Sequence, residues 1–371
     1  MADTPIQTSQ IGLTEIENFD LQDPRTLRVF ADRYVKPKSF LKDFFFPTTP
    51  ADMFSTESIL LDDMKRGRKM APFVISGSKD VARNGFVTDE YKPPRIAPSR
   101  TMRVDDLKKR GFGETFLNSN GKPNLRATRM TVQDMTDMSD MITRREEAMC
   151  AEVLLNNACV MKHIDPQNAD NTETHTLKFY SGSTNDQTYT PAKSWASADA
   201  DILGDIYAMR KIIREKGNPA DILLVSSDVA DAIMNNTKIA EQLDNRRIEI
   251  GSIKPLELGD GATEICKLNV KGAWITVVMY DETYENDDGE DTAYLPSGTA
   301  ILASKGCGRG YYGGVTQLEH GSDEFQHYEG RRVPKLIKDV NNDEKKLQLV
   351  ARPIMAPVAK YGWVSSKVIF G

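Results

Sequence analysis

The sequence predicts an α+β fold, two lobes with long extensions, and three observations predict it. A window of 42 residues, Asn124 to Asp165, holds no Gly or Pro, and its apolar side chains recur at helical steps. A helix–strand–helix succession over 197–242 marks a separate α/β lobe. Elsewhere, short apolar runs broken by Pro and Gly mark strands and turns. At roughly 150 residues per domain, 371 residues suggest two or three domains.

Residues 1–20 are polar and mildly acidic and read as an arm. Pro24 then opens a short helical pattern with Leu27, Val29, Phe30 and Tyr34. The run Phe44-Phe45-Phe46-Pro47 closes this first segment. Three adjacent aromatics need burial, either in a local core or against another subunit. Ser58-Ile59-Leu60-Leu61 and Pro72-Phe73-Val74-Ile75 are strand-like. Between them Lys65, Arg66, Arg68 and Lys69 surround Gly67, which suits the tip of an extended hairpin. From Asp62 to Arg110 there are 13 bases, Arg83 among them, and 7 acids.

Within the Gly- and Pro-free window, Met135, Met138, Ile142, Met149 and Val153 form a stripe that Arg145 interrupts. Thirty residues of such a helix would span about 45 Å, against an average helix of about 11–12 residues. It is a spine, and its methionines suit adaptable core packing. Leu177, Phe179 and Tyr180 suggest a strand. A helix is expected over 197–216 on Ile202, Ile206, Met209 and Ile213, stopped by Gly217. Ile222-Leu223-Leu224-Val225 reads as a buried strand. Ser226, Ser227 and Asp228 can cap a helix over 229–242. Strands are expected at 273–280 and 299–303, joined by a loop, Asp281 to Asp291, with 7 acids and no base. That loop includes Asp287, Asp288, Glu290 and Asp291. Solvation accounts for such a loop, and so does pairing with a basic loop of another chain. The tail 346–371 reads as strands broken by Pro353, Pro357 and Gly362.

Net charge is −6, which argues against a basic nucleic-acid-coating protein. The N-terminus lacks the basic and apolar regions of a secretory signal, and no apolar run reaches the roughly 18–20 residues that span a bilayer. A soluble product with no membrane partner is expected. Cys150, Cys159, Cys266 and Cys307 form no C-x-x-C pair, so reduced thiols are expected. His163, His175, His320 and His327 have no zinc-binding spacing. The acidic loop approaches a calcium pattern only at Asp287, Asp288 and Gly289. No metal and no cofactor are expected. The best enzyme-like element is the Gly-rich run 306–314, with Cys307 beside Arg309. It lacks the third glycine of a G-x-G-x-x-G phosphate turn and a following helix start, so a tight structural loop is the reading. A depressed Cys307 thiol pKa is the rival idea.

The element order resembles that of the lambda-like tailed-bacteriophage major capsid proteins. Local likeness is best in Leu243-Asp244-Asn245-Arg246-Arg247, in Tyr294-Leu295-Pro296-Ser297-Gly298-Thr299 leading into 300–303, and in the helix-to-strand pattern of 197–242. It extends to Pro24 with Leu27, Val29 and Phe30, and to Met70-Ala71-Pro72-Phe73-Val74 before Ser76-Gly77. None of these is a catalytic signature. The resemblance implies the bacteriophage Hong Kong 97 capsid fold. It assigns 1–50 to an N-terminal arm, 51–118 to an E-loop, 119–196 to a peripheral domain with the spine helix, 197–318 to an axial domain, and 319–371 to a return into peripheral strands.

The implied function is a non-enzymatic shell protein. It would self-assemble into hexamers and pentamers of an icosahedral head that encloses double-stranded DNA without reading its sequence. Portal, scaffold and decoration proteins are the implied partners, and the virion, assembled in the host cytoplasm, the implied location. The inter-subunit candidates are Phe44, Phe45, Phe46, Lys65, Arg66, Arg68, Lys69, Arg83, Asp287, Asp288, Glu290 and Asp291. Some capsids of this fold carry a Lys–Asn crosslink, and Lys65, Lys69, Lys79 and Lys92 lie in the E-loop, but no crosslink is expected in this branch. The alternatives are an encapsulin-type compartment shell and a nucleotide-binding enzyme using 306–314.

Overall fold

The computed structural model describes residues 39–64, 86–103, 123–165, 168–179, 187–197, 199–239, 256–259, 261–286, 289–318, 324–358 and 361–370. Four helices organise them: α1 (Phe40–Phe45), α2 (Pro123–Asn156), α3 (Ile202–Glu215) and α4 (Ser227–Asn235). The arm and its helical pattern before residue 39 lie outside the described residues, as do Pro72–Ile75 and Leu243–Arg247.

The spine is α2, 34 residues long and so about 51 Å. Met135, Met138, Ile142, Met149 and Val153 are all buried and Arg145 is exposed. The Gly- and Pro-free window is not one helix to its end, however. Asn157 has φ 51°, a left-handed conformation that Asn tolerates. There its side chain donates to the Phe179 carbonyl (3.0 Å). The chain then turns into a two-stranded ribbon, Ala158–Asp165 against Asn168–Lys178.

A seven-stranded sheet runs in the order Thr188–Tyr189, Val364–Lys367, Thr299–Ala303, Ile222–Val225, Ala273–Tyr280, Ala262–Val270, Leu256–Gly259. The strands expected at 222–225, 273–280 and 299–303 all lie in it. Ile222–Val225 is buried throughout, as a strand covered on both faces should be. Ile222 and Leu224 join Val278, Tyr280 and Ile301 against Met149, Val153 and Leu154 of α2. Leu223 and Val225 join Ile275, Val277 and Leu302 against Ile202, Ile206, Met209 and Ile213 of α3 and Val229 and Ile233 of α4. The sheet therefore separates the spine from the two short helices, and a strand from the C-terminal tail is one of its members.

Both short helices begin or end differently from expectation. α3 starts at Ile202 because Asp201 is its N-cap, its carboxylate accepting from the Gly204 amide (3.4 Å). α4 ends at Asn235, and the Asn236 side chain accepts the Ile239 amide (3.3 Å). A three-stranded sheet, Val333–Asp339, Glu344–Val350 and Ser99–Arg103, packs Leu347 and Leu349 on Met135, Met138 and Ile142. Ile59–Met64 and Phe86–Tyr91 pair antiparallel, Ile59 with Tyr91 through Met64 with Phe86. The partner of 59–64 is thus Phe86–Tyr91, where the sequence pointed to 72–75, which lies outside the described residues.

Candidate functional site

Among the described residues, a group of buried charges lies where α1 meets the spine. Phe40, Leu41, Lys42 and Phe45 of α1 are buried. The Phe40 ring sits 5.7 Å from Tyr280, and Phe46 meets Trp363 edge-on at 6.4 Å. Phe45 and Phe46 are wholly enclosed by their own chain, so their burial is intramolecular. Phe44 is half-buried and stacks on Phe40 at 5.1 Å.

Two consecutive glutamates of α2 face this junction, and their surroundings differ. The Glu146 carboxylate is bracketed by cations. Arg332 donates Nη1 to Oε1 (2.7 Å) and Nη2 to Oε2 (3.0 Å), the Lys42 ammonium caps Oε2, and Tyr312 donates its hydroxyl to Oε1 (3.1 Å). Burial alone would push this carboxyl up, but Arg332 and Lys42 reverse that and hold it at about 2. Reciprocally, burial works against both cations, and Glu146 raises Lys42 and Arg332 above their ordinary values.

Among the described residues, the hydrogen-bond donors to Glu147 are all neutral. Its Oε1 accepts from the Leu41 amide (2.7 Å) and the Tyr280 hydroxyl (2.9 Å), and its Oε2 from the Lys42 amide (2.9 Å). Those amides belong to the first turn of α1, which has no helical acceptor for them. Burial pushes the Glu147 carboxyl up to about 7, against the pull of the three donors.

The Gly-rich run forms the strand Gly308–Tyr312, paired with Pro353–Pro357. A methyl group on Gly308 would stand 2.2 Å from Phe46 Cε1, and one on Gly314 2.5 Å from the Ser55 carbonyl oxygen. These glycines are explained by the close approach of the segment after α1. The phosphate-cradle idea has no support here, because Gly308 lies under the Phe46 ring. Burial pushes the Cys307 thiol up to about 12, the reverse of the activation that Arg309 would supply. Arg309 pairs with Asp52 instead (3.4 Å).

The acidic stretch is a small hairpin, Thr283–Glu285 against Asp291–Ala293. Asn286 shapes its turn by accepting the Glu290 amide (2.9 Å). With Met141, Arg144, Arg145 and Ala148 of the spine, this hairpin lines an open groove of about 550 Å³. Glu290 and Asp291 are exposed. Asp287, Asp288, Lys65, Arg66, Arg68, Lys69 and Arg83 lie outside the described residues. Among the described residues no cluster of three or more His, Cys, Asp or Glu is arranged to hold a metal, and no helix is long and apolar enough to cross a membrane.

Lys42, Glu146, Glu147 and Arg332 escape sequence reading, although one signal existed. The stripe steps seven residues from Ile142 to Met149, and the position that completes it, four after Ile142 and three before Met149, is Glu146. A charge in the apolar phase of a helix announces a buried ion that needs partners. The exposed Arg145 is not the residue that breaks the stripe.

Comparison with solved structures gives the fold. A prophage protein of E. coli CFT073, assigned as a capsid protein, superposes with a TM-score of 0.63 at 17% identity, over 93% of this chain and 99% of that one. A phage-related protein of Bordetella bronchiseptica RB50 superposes with a TM-score of 0.52 at 14% identity, over 93% and 96%. No curated protein matches significantly. The α+β class read from the sequence is thus the class of a phage capsid fold. Residues 25–368 match the family described as phage major capsid protein E, and the chain belongs to that family.

Proposed function

We propose that this chain is the repeating subunit of a closed icosahedral phage head, assembling as hexamers and pentamers around double-stranded DNA that it does not read. The family match from residue 25 to residue 368 carries this reading. It is supported by a ribbon, Ile59–Met64 with Phe86–Tyr91, whose strands pair with each other and with no other described strand. It is further supported by apolar side chains left in solvent, Phe325 at 74% and Trp274 at 55% exposure. Isolated two-stranded ribbons are marginal alone in water, and in a shell a neighbouring copy covers them.

In this reading the domains are an arm (1–50), an E-loop (51–118), a peripheral domain (119–196 and 319–371) and an axial domain (197–318), whose sheet also takes in Thr188–Tyr189 and Val364–Lys367. The basic E-loop tip, Lys65 to Lys69, lies against the acidic hairpin of a neighbour, where opposite charge sets register. The protein catalyses nothing, its location is the virion after assembly in the host cytoplasm, and portal, scaffold and decoration proteins are its partners. Mature shells carry no crosslink.

Negative-stain microscopy of the overproduced protein, alone and with its neighbouring head genes, tests the assignment. Shells or ring-shaped capsomers are expected. A strict monomer under every assembly condition would overturn it. Denaturing gels of the shells test the last point, where ladders of covalent oligomers would refute it.

A further inference from the structure

We infer that Glu147 is a proton-operated latch that holds the arm anchor on the spine, so that α1 lifts from the spine as pH rises through neutrality. The geometry is specific. One buried carboxylate collects the two first-turn amides of α1 and the hydroxyl of Tyr280, at 2.7, 2.9 and 2.9 Å. Thus one side chain of α2 ties together the arm anchor, the spine and the seven-stranded sheet. The adjacent Glu146 has Arg332 and Lys42 as counter-ions, whereas the three groups on Glu147 are uncharged donors. An ionised carboxylate buried on those terms is costly, and lifting α1 gives it water.

The other groups around Glu147 are Asp43 and Lys42 on α1, Tyr280 and Tyr294 from the sheet side, and Glu146 and Cys150 on its own helix. Glu146 titrates near 2. Lys42, Tyr280, Tyr294 and Cys150 are all shifted upward. Burial pushes Glu147 itself up to about 7, from an ordinary value of 4.5. The sign follows from proton linkage. The docked state binds the proton more tightly than the lifted state, so docking is strongest below about 4.5 and weakens as pH rises toward 7. The lifted fraction should grow by about tenfold per pH unit in that window and by about 300-fold overall.

The latch is a property of the single chain and does not depend on shell assembly. The test is hydrogen exchange of the full-length protein between pH 5 and 8. Protection factors, corrected for the intrinsic rate, are measured for peptides covering 39–46, with the strand Thr299–Ala303 as reference. The wild type should lose protection at 39–46 as pH rises, and 39–46 should stay less protected than the reference, which opens only by global unfolding. Glu147→Gln, a neutral isostere, should flatten the profile. Tyr280→Phe removes a donor to the charged form and should move the midpoint upward, which keeps the test alive should the Gln variant fail to fold. Asp43→Asn removes a like charge that helps to push Glu147 up and should move the midpoint downward while keeping the transition. A flat wild-type profile, an unchanged slope in Glu147→Gln, an unmoved midpoint in Tyr280→Phe, or loss of the transition in Asp43→Asn would each overturn the inference.

Discussion

The Arg332 guanidinium grips both oxygens of Glu146, at 2.7 and 3.0 Å, across 186 residues of chain. The pair is buried and fastens the residue that leads into Val333–Asp339 to the spine. The Lys42 ammonium closes the other side, so α1, the spine and the chain entering Val333–Asp339 meet on one carboxylate.

Breaking this pair from one side should be severe, because it strands a buried charge. Arg332→Met is expected to cost about 3–5 kcal/mol in urea unfolding of the isolated subunit. Replacing the ion pair and its neighbour together, as Glu146→Leu with Arg332→Met and Lys42→Met, should cost much less than the sum of the single changes. Additive losses would contradict the account.

The two glutamates should shape opposite limbs of the stability–pH curve. The folded Glu146 carboxyl lies near 2, so its contribution is complete above about 4.5 and is lost as pH falls toward 2. The folded Glu147 carboxyl lies near 7, so its contribution is complete below about 4.5 and is lost as pH rises toward 7. Each slope approaches about 1.4 kcal/mol per pH unit at most. Chemical denaturation across pH 3 to 8 should show Glu146→Gln flattening the acid limb and Glu147→Gln the neutral limb. A swap of those effects would reverse the assignment.

Gly308→Ala drives a methyl group into the Phe46 ring. With that ring enclosed beside Trp363, relief requires moving the segment after α1, at a cost of about 1–3 kcal/mol. Differential scanning calorimetry measures this, and the double variant Gly308→Ala with Phe46→Leu should recover part of the loss. An unchanged melting temperature in the single variant would show that the close approach is not real.

Glu290 and Asp291 are exposed on the acidic hairpin, so Glu290→Lys with Asp291→Lys should leave subunit stability within about 1 kcal/mol. In the proposed shell these changes should slow assembly by about tenfold at low salt, with less effect at high salt. Light scattering during assembly reads both. Adding Lys65→Glu and Arg66→Glu to the same chain should restore the rate, and failure to do so would remove the E-loop from this contact.

Periodicity was enough to read several elements. The five-residue stripe of the spine, the four apolar positions of α3 and the strands at 222–225, 273–280 and 299–303 are legible because burial imposes a period of 3.6 or 2 on local sequence. Element order along the chain carried the family resemblance for the same reason. Boundaries were less legible where a single residue decides them. Asn157 ends the spine through its left-handed backbone, and nothing in the apolar pattern marks it. Asp201 starts α3 by its side chain, later than the expected start at 197.

By itself, the sequence determined the class of fold, the long spine, the buried strands and the asymmetry between the basic stretch 62–110 and an acidic loop, all of which are local patterns of charge and hydropathy. Only the tertiary structure decided which charges are paired inside the protein. Lys42 and Arg332 lie 104 and 186 residues from Glu146, whose carboxylate they share, and no spacing rule reaches across such gaps. It also decided that Phe45 and Phe46 are enclosed by their own chain and that the glycines at 308 and 314 serve close packing. Those outcomes depend on which surfaces meet in space, and burial, which sets the strength of every charge at this junction, exists only once they have met.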